Sequence, residues 1–377
     1  MVRQLRRVDA AVSRGGRRGA PRDTDRLLAY LLLEGLITAA DAARVEPSID
    51  WRAAATIDEH IARERDPARR IALGCSLPDW LAARFVADWG DRAESLARSL
   101  GERAPMTVRA NRLKTTREEL AKAFAGHGLA TTPGRYADDA LVVDTRTNLF
   151  ALPELKDGLF EMQDEGSQLL AALVAPARET VVDLCAGAGG KTLALAAMMG
   201  NKGRIVACDI DEKKLEELRR RGRRAGVTTV DTIHLPDGVW PDALEDRRDA
   251  VARVLVDAPC SGVGALRRNP EARWRMAEAD IADFAKRQRA IADHAATLLA
   301  PGGTMVYATC TLLAAENQAV AEAVADARGL AIVAPSEVLG ERAAELTTAD
   351  GRWFTVAPDR HGTDGFFAAI LRRPAAA

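Results

Sequence analysis

Cys260 and Cys310 are the residues of this chain best suited to chemistry. Cys260 closes the segment Asp257-Ala258-Pro259-Cys260, and Cys310 closes Tyr307-Ala308-Thr309-Cys310. Each follows a short apolar run, Val254-Leu255-Val256 and Thr304-Met305-Val306-Tyr307, that reads as a buried strand. A thiolate is a strong nucleophile, and the carboxyl ends of strands in an open parallel sheet face the crevice where ligands bind. Two thiols at two such ends would face one site. Taken singly, a cysteine after an apolar strand is more often a small buried hydrophobe. That is the reading for Cys185 and Cys208, while Cys75 has no supporting context.

A glycine-rich strand-to-helix turn lies upstream, Asp183-Leu184-Cys185-Ala186-Gly187-Ala188-Gly189-Gly190-Lys191-Thr192. Such turns bring backbone N–H groups close to a ligand. A phosphate-binding loop would need glycine where Cys185 stands, and a dinucleotide fingerprint would need it where Thr192 stands. The pattern fits an S-adenosylmethionine turn: an acid ending the first strand (Asp183), glycines in the turn (Gly187, Gly189, Gly190), and an acid after the second strand (Asp209). Asp209 would accept hydrogen bonds from ribose hydroxyls, and the backbone of Cys185, Ala186 and Ala188 would line the cofactor. Asp237 follows the third strand, where adenine contacts are expected, although Asp237-Gly238 is also a turn pair in its own right. Lys191, at the helix start, reads either as a contact to the substrate base or nearby backbone, or as a solvated cap.

Together these motifs resemble the Sun/Nop family of RNA cytosine-C5 methyltransferases. The matching segments run in family order from Phe160-Glu161-Met162-Gln163-Asp164-Glu165-Gly166-Ser167-Gln168, through the glycine turn and the Cys260 segment with Ser261-Gly262, to Arg267-Arg268-Asn269-Pro270. Tyr307-Ala308-Thr309-Cys310-Thr311 with Glu316-Asn317 follows, then Asp364-Gly365-Phe366-Phe367. Gly187-Ala188 stands where the family turn usually carries Ala-Pro, which removes a rigid φ constraint.

The resemblance implies Cys310 as the nucleophile that adds to carbon 6 of cytosine, Cys260 as the residue that helps release the product, and Asp257 as the partner of the base's ring nitrogen or amine. The implied cofactor is S-adenosylmethionine and the implied substrate is RNA, most simply 16S rRNA, with tRNA as the alternative. DNA cytosine methyltransferases attack with a Pro-Cys thiol, so the rival assignment makes Cys260 the nucleophile and Cys310 structural. A nicotinamide-dependent dehydrogenase would use the turn and Asp209 but leaves both cysteines unexplained. A non-catalytic RNA-binding assembly factor has no need of the cysteine pair.

The elements that position these residues alternate. Strands are expected at 180–184, 204–208, 229–234, 252–256 and 304–307, with a final pair near 353–356 and 366–371. Strand–helix alternation of this kind predicts an α/β, doubly wound, Rossmann-like sheet. The helix from Ile281 is expected to run to Leu299 and stop at Pro301-Gly302-Gly303. This domain is assigned to 165–377. Before it, 101–164 reads as a small α+β RNA-binding unit, with a strand at 106–111, a helix at 118–124 and a strand at 140–143. Residues 23–100 read as a helical domain. Residues 1–22 hold Arg3, Arg6, Arg7, Arg14, Arg17, Arg18 and Arg22 and read as a basic flexible arm.

The chain has 377 residues, 47% hydrophobic and 28% charged, with net charge −1, so no global field draws it to nucleic acid. Local bias carries that role: Arg267, Arg268, Asn269 and Arg273 read as a basic loop for phosphates at the site's rim. The run Lys213, Lys214, Arg219, Arg220, Arg221, Arg223 and Arg224 reads mostly as a solvated helix face. The 5 cysteines include no Cys-x-x-Cys pair and the histidines show no ligand spacing, so neither a disulfide framework nor a metal is expected. No apolar run reaches membrane-spanning length. A cytoplasmic protein, away from membranes and monomeric, is the expectation.

Overall fold

The computed structural model describes residues 1–236 and 240–375. The chain divides into two units: Met1–Arg103 with Ala265–Ala279, and Ala104–Gly264 with Asp280–Ala377. No helix among the described residues is long and apolar enough to cross a membrane.

The first unit is helical, from Leu5–Arg14 and Asp23–Leu33 through to Asp79–Trp89 and Ala93–Ser99. Residues 1–22 are not a flexible arm. Val8, Ala11 and Val12, spaced to share one helix face, are fully buried with Ala29, Trp51, Ala54 and Ile57. Arginines that suggested an arm pair with acids of the same unit: Arg7 with Asp58 (2.6 Å) and Arg6 with Asp79 (2.7 Å). Exposed pairs of this kind contribute about 0–1 kcal/mol each. Burying a valine contributes about 1.5–3 kcal/mol, so the apolar stripe holds the helix and the arginines decorate it.

The segment 265–279 returns to this helical unit, and Arg273 is its buried anchor there. Its guanidinium is fully buried and donates to the backbone carbonyls of Cys75 (3.2 Å), Ser76 (3.3 Å) and Leu100 (3.1 Å). Cys75 and Leu100 cap the ends of the helices Pro67–Gly74 and Ala93–Ser99, where helix carbonyls lack partners. Burial pushes the Arg273 pKa down to about 10. The expectation of a phosphate-binding arginine is therefore corrected: a fully enclosed guanidinium ties helix ends together. Arg273→Met is expected to lower the denaturant midpoint of the full chain, because each buried carbonyl left unpaired costs about 1–3 kcal/mol. An unchanged midpoint would contradict this role.

The second unit holds two sheets. Strands β1 (Met106–Ala110), β2 (Thr131–Pro133), β3 (Ala140–Val143) and β4 (Phe160–Met162) form a four-stranded antiparallel sheet in the order β2-β3-β1-β4. The helix Arg117–Gly126 covers it. Thr116 and Glu119 cap its start reciprocally, and Phe124 meets Phe160 edge-on at 5.2 Å. Strands β2 and β4 are too short for a period-2 pattern to register, so sequence gave no sign of them.

The larger sheet comprises β5 (Thr180–Leu184), β6 (Arg204–Asp209), β7 (Val230–His234), β8 (Val251–Asp257), β9 (Leu299–Thr309), β10 (Ala331–Val333), β11 (Phe354–Val356) and β12 (Phe366–Arg372). Its order is β10-β12-β9-β8-β5-β6-β7, with β11 beside β12. The five strands from β9 to β7 are parallel, as a doubly wound sheet requires, and the last three pair antiparallel. Alternate residues serve the two faces: Val181 and Leu255 join one apolar cluster, Val182 and Val254 the other.

The expected stop at Pro301-Gly302-Gly303 is corrected. The helix ends earlier, at Ala296, and the Pro-Gly-Gly stretch lies inside β9 as an irregularity. Register with β8 passes from Val251↔Leu299 to Arg253↔Thr304. A Cβ at Gly303 would meet the Val251 carbonyl oxygen at 2.8 Å, so only glycine fits there. From β5 the chain winds outward through β6 and β7, then returns to the other side for β8 and β9. The carboxyl ends of all these strands open on one crevice at this switch in winding.

Candidate active site

Parallel register brings the two cysteine segments together. Asp257 pairs with Ala308, the Ala258 N–H donates to the Ala308 carbonyl (2.9 Å), and the Gly264 N–H donates to the Cys310 carbonyl (3.0 Å). The Sγ atoms of Cys260 and Cys310 lie 3.4 Å apart. Their environments split them. A hydrogen bond from the Cys260 thiol lowers the pKa of Cys310, assisted by the charge of Lys191 against the opposing effects of burial and Asp257. Cys260 is pushed well above the ordinary thiol value by that same bond, by burial and by the charges around it. The direction of these shifts makes Cys310 the more acidic thiol of the pair.

Lys191 closes the other side of the site. Its Nζ lies 2.6 Å from Asp257 Oδ2. Burial opposes its charge, but the Asp257 carboxylate outweighs that, and its pKa ends above the ordinary lysine value. Lys191 is therefore not a solvated cap: it stands in a half-buried ion pair beside the thiols.

The glycine turn is built for close approach. Cys185 (φ 60°), Gly187 (φ 55°) and Gly189 (φ 85°) all occupy the left-handed region. A Cβ at Gly189 would strike Leu218 at 2.5 Å, whereas one at Gly187 would meet nothing. Gly189 is needed for packing beneath the turn, and Gly187 faces open space. Asp209 lies at the end of β6, where its Oδ2 accepts from the Gly187 N–H (2.7 Å) and its Oδ1 from the Asp211 N–H (2.9 Å). Beside the turn is a cavity of ≈ 550 Å³ whose lining includes Cys185, Gly187, Asp209, Ile210, Leu235, Asp257, Pro259 and Ile291. That volume is in the range of small-ligand sites. Asp237 lies outside the described residues.

Asp183 departs from its expected role as a cofactor contact. It is fully buried, its Oδ2 accepts from Thr192 Oγ1 at 2.6 Å, and its Oδ1 has no partner among the described residues. With no exposed surface it fastens the turn to the following helix. Burial pushes its pKa up to about 7. The folded chain therefore keeps this proton where an unfolded carboxyl has lost it. Stability from Asp183 is complete below the unfolded value of 3.8 and is lost as pH rises through about 7. Asp183→Asn cannot ionise, so its Tm is expected to gain on that of the unaltered chain between about pH 4 and about pH 8. Parallel Tm–pH curves would contradict this.

The basic residues sort unevenly. Arg267 is only 5% exposed, so it is corrected from a surface phosphate contact to a buried residue; its carbonyl accepts from Arg3 (2.7 Å). Arg268 and Asn269 are exposed in the same unit. In the helix Glu212–Ala225, Arg221 and Arg224 are not solvated. Both pair with the buried Glu161 of β4, and Arg221 also donates to the Ala188 carbonyl of the turn (2.7 Å). The other three cysteines are poor thiolates. Burial pushes Cys75 up to about 11, and it raises Cys185 and Cys208 further still.

Two residues that received no role from the sequence complete the site. Glu316 and Gln288 are fully buried and bonded to one another (2.9 Å), with Gln288 also donating to the Pro259 carbonyl (3.0 Å). The pair Glu316-Asn317 was visible as a motif, but nothing local says where that carboxylate goes.

Comparisons with known proteins place the chain in a family. A family model described as 16S rRNA methyltransferase RsmB/F matches residues 171–372, and one described as a RsmF/B-like ferredoxin-like domain matches residues 77–149. The probable ribosomal RNA small subunit methyltransferase B of Synechocystis is 35% identical over 309 residues, covering 81% of this chain and 69% of that protein. Its Bacillus subtilis counterpart is 32% identical over 313 residues, covering 82% and 69%. Among solved structures, a methyltransferase homolog protein from Pyrococcus horikoshii superposes with a TM-score of 0.69 at 27% identity, covering 82% of this chain and 100% of that one. NSun6 from the same organism, solved with SFG, shares the fold at a TM-score of 0.70 and 21% identity, covering 79% and 99%. The extent of the first family match, with the identity and coverage of these relatives, establishes that the chain belongs to the 16S rRNA methyltransferase RsmB/F family.

Proposed function

We propose that this chain methylates carbon 5 of a cytosine in 16S rRNA, with S-adenosylmethionine as the methyl donor. The observation that carries this reading is the thiol pair, 3.4 Å apart beside the Lys191–Asp257 ion pair. Family membership supports RNA of the small subunit as the substrate.

The turn suits the cofactor. Asp209 keeps carboxylate lone pairs for ribose hydroxyls, Gly187 leaves space, and Ile210, Leu235, Pro259 and Ile291 give apolar walls for a base. SFG, an S-adenosylmethionine analogue, accompanies the related fold of NSun6. When bound, the cofactor supplies an electrophilic methyl group.

This chain's residues do the rest. Cytosine carbon 5 is a poor nucleophile while the ring is aromatic. The Cys310 thiolate adds to carbon 6, forming an S–C6 bond and placing enamine-like electron density on carbon 5. Asp257, held by Lys191, accepts from the exocyclic amine and orients the ring. After methylation, a solvent water takes the proton from carbon 5, those electrons restore the C5–C6 double bond, and the S–C6 pair returns to Cys310. The Cys260 thiol stabilises the departing sulfur. A base in a duplex is out of reach, so the target must be unpaired or flipped out.

Bisulfite sequencing of 16S rRNA, treated with the purified chain and S-adenosylmethionine as naked transcript and as 30S particles, tests the reading. A cytosine protected from conversion only when both protein and cofactor are present is expected. Complete conversion in both substrates would overturn it.

A further inference from the structure

The buried Glu316 lies at the centre of a set of contacts that reach both cysteine segments, and it has no part in the mechanism above. Its Oε2 accepts from the Ser261 N–H (2.8 Å) and from Gln288 Nε2 (2.9 Å). Its Oε1 accepts from the hydroxyls of Ser261 (2.5 Å) and Thr311 (3.0 Å). Those hydroxyls also meet each other at 2.9 Å. Ser261 follows Cys260, and Thr311 follows Cys310. One carboxylate thus receives four donors drawn from both sides of the thiol pair, which fills its acceptor sites. The Tyr307 hydroxyl of β9 donates to the Glu316 carbonyl (2.6 Å), with Gln288 Oε1 also within reach (3.2 Å).

We propose that Glu316 is the positioning residue that sets the separation of Cys260 and Cys310. The assignment of attack and release to these two thiols rests on the proposed function; the positioning itself does not. The two sides depend on Glu316 unequally. The Cys310 segment has independent support, because Asn317 Nδ2 donates to the Thr311 carbonyl (3.1 Å) and Asn317 Oδ1 accepts from Thr309 (2.6 Å). The Cys260 turn is anchored by backbone bonds at Ala258 and Gly264, and between those points it is tied through Ser261 to Glu316 and through Pro259 to Gln288, which itself bonds Glu316. Losing the carboxylate displaces Cys260 more than Cys310, so release suffers more than attack.

The first test needs neither RNA nor cofactor. Diamide takes two hydrogens from a pair of thiols as they join in a disulfide, and the rate of closure reads how often the sulfurs meet. Peptide mapping by mass spectrometry follows the Cys260–Cys310 link. The unaltered chain is expected to close rapidly. Glu316→Met is expected to close at least about 10-fold more slowly, since a displacement near 1 Å costs on the order of 10²-fold in a positioned reaction. Glu316→Gln is expected to stay within about 3-fold, because the hydroxyls of Ser261 and Thr311 can rotate to accept from its amide.

Should Glu316→Met fail to fold, Ser261→Ala with Thr311→Val removes the hydroxyl half of the contacts and is expected to slow closure in the same direction. Closure at the unaltered rate in whichever of these variants folds would overturn the proposal. In the second test, with RNA and S-adenosylmethionine, Glu316→Met is expected to retain a covalent protein–RNA adduct on a denaturing gel. If Cys260→Ala gives no adduct, the assignment of roles falls while the closure result still decides the positioning. If Cys260→Ala gives an adduct and closure in Glu316→Met is normal, the positioning falls and the roles stand.

Discussion

Cys310→Ala is expected to abolish methyl transfer to 16S rRNA while leaving affinity for S-adenosylmethionine unchanged. Losing a nucleophile costs on the order of 10⁴-fold or more in turnover. No other thiol is as well suited to substitute, since Cys75, Cys185 and Cys208 have pKa values pushed up by burial, and that of Cys260 is raised by its bond to Cys310 and by burial. The proposed reading gives cofactor binding to the turn and Asp209, so calorimetric titration with S-adenosylmethionine should match the unaltered chain. That comparison separates a chemical loss from a folding one. The lowered Cys310 pKa predicts an alkylation profile. Cys310 should react with iodoacetamide at pH values below the ordinary thiol value of 9.0, and its rate should fall as pH drops through its own lowered pKa. Full methylation by Cys310→Ala would move the nucleophile to Cys260, the DNA-methyltransferase arrangement.

The parts of this site that were legible in the sequence are those that local pattern decides. A β-branched run ending in a cysteine states both a strand and where it stops, and parallel winding then brings two such ends together. The glycine turn was legible because Gly187 and Gly189 answer to backbone needs that few residues meet. What stayed hidden depends on partners far away in the chain. Arg273 and Arg267 looked like surface arginines because a sequence does not record that a segment between β8 and β9 returns to the helical unit. The stripe of Val8, Ala11 and Val12 was outweighed by the arginines around it, although burial is the larger effect. Pro301-Gly302-Gly303 was read as a helix stop, yet close approach of the Val251 carbonyl makes it part of a strand. Asp183 matched the acid of a cofactor turn in position but faces inward, with Thr192 as its partner. Glu316 illustrates the general case: its four donors come from segments that only the folded sheet brings together.

Cys260→Ala is expected to trap a covalent protein–RNA complex, seen as a shifted band on a denaturing gel and dependent on S-adenosylmethionine. The argument rests on what the Cys260 thiol does for its neighbour. Its hydrogen bond is the leading influence that lowers the Cys310 pKa, so removing it raises that pKa. A thiolate of higher pKa is scarcer but more nucleophilic, with a Brønsted coefficient of about 0.4–0.5, so attack slows only modestly. As a leaving group the same sulfur is worse, and it departs without a donor beside it. Attack survives, release stalls, and the methylated base remains attached. The double substitution of Cys260 and Cys310 to alanine should lose the band, because the adduct bond is to Cys310. A band from Cys310→Ala and none from Cys260→Ala would reverse the two roles. Absence of adduct in both, with methylation intact, would remove covalent catalysis from this site altogether, since two sulfurs 3.4 Å apart would then have no chemical reason to be there.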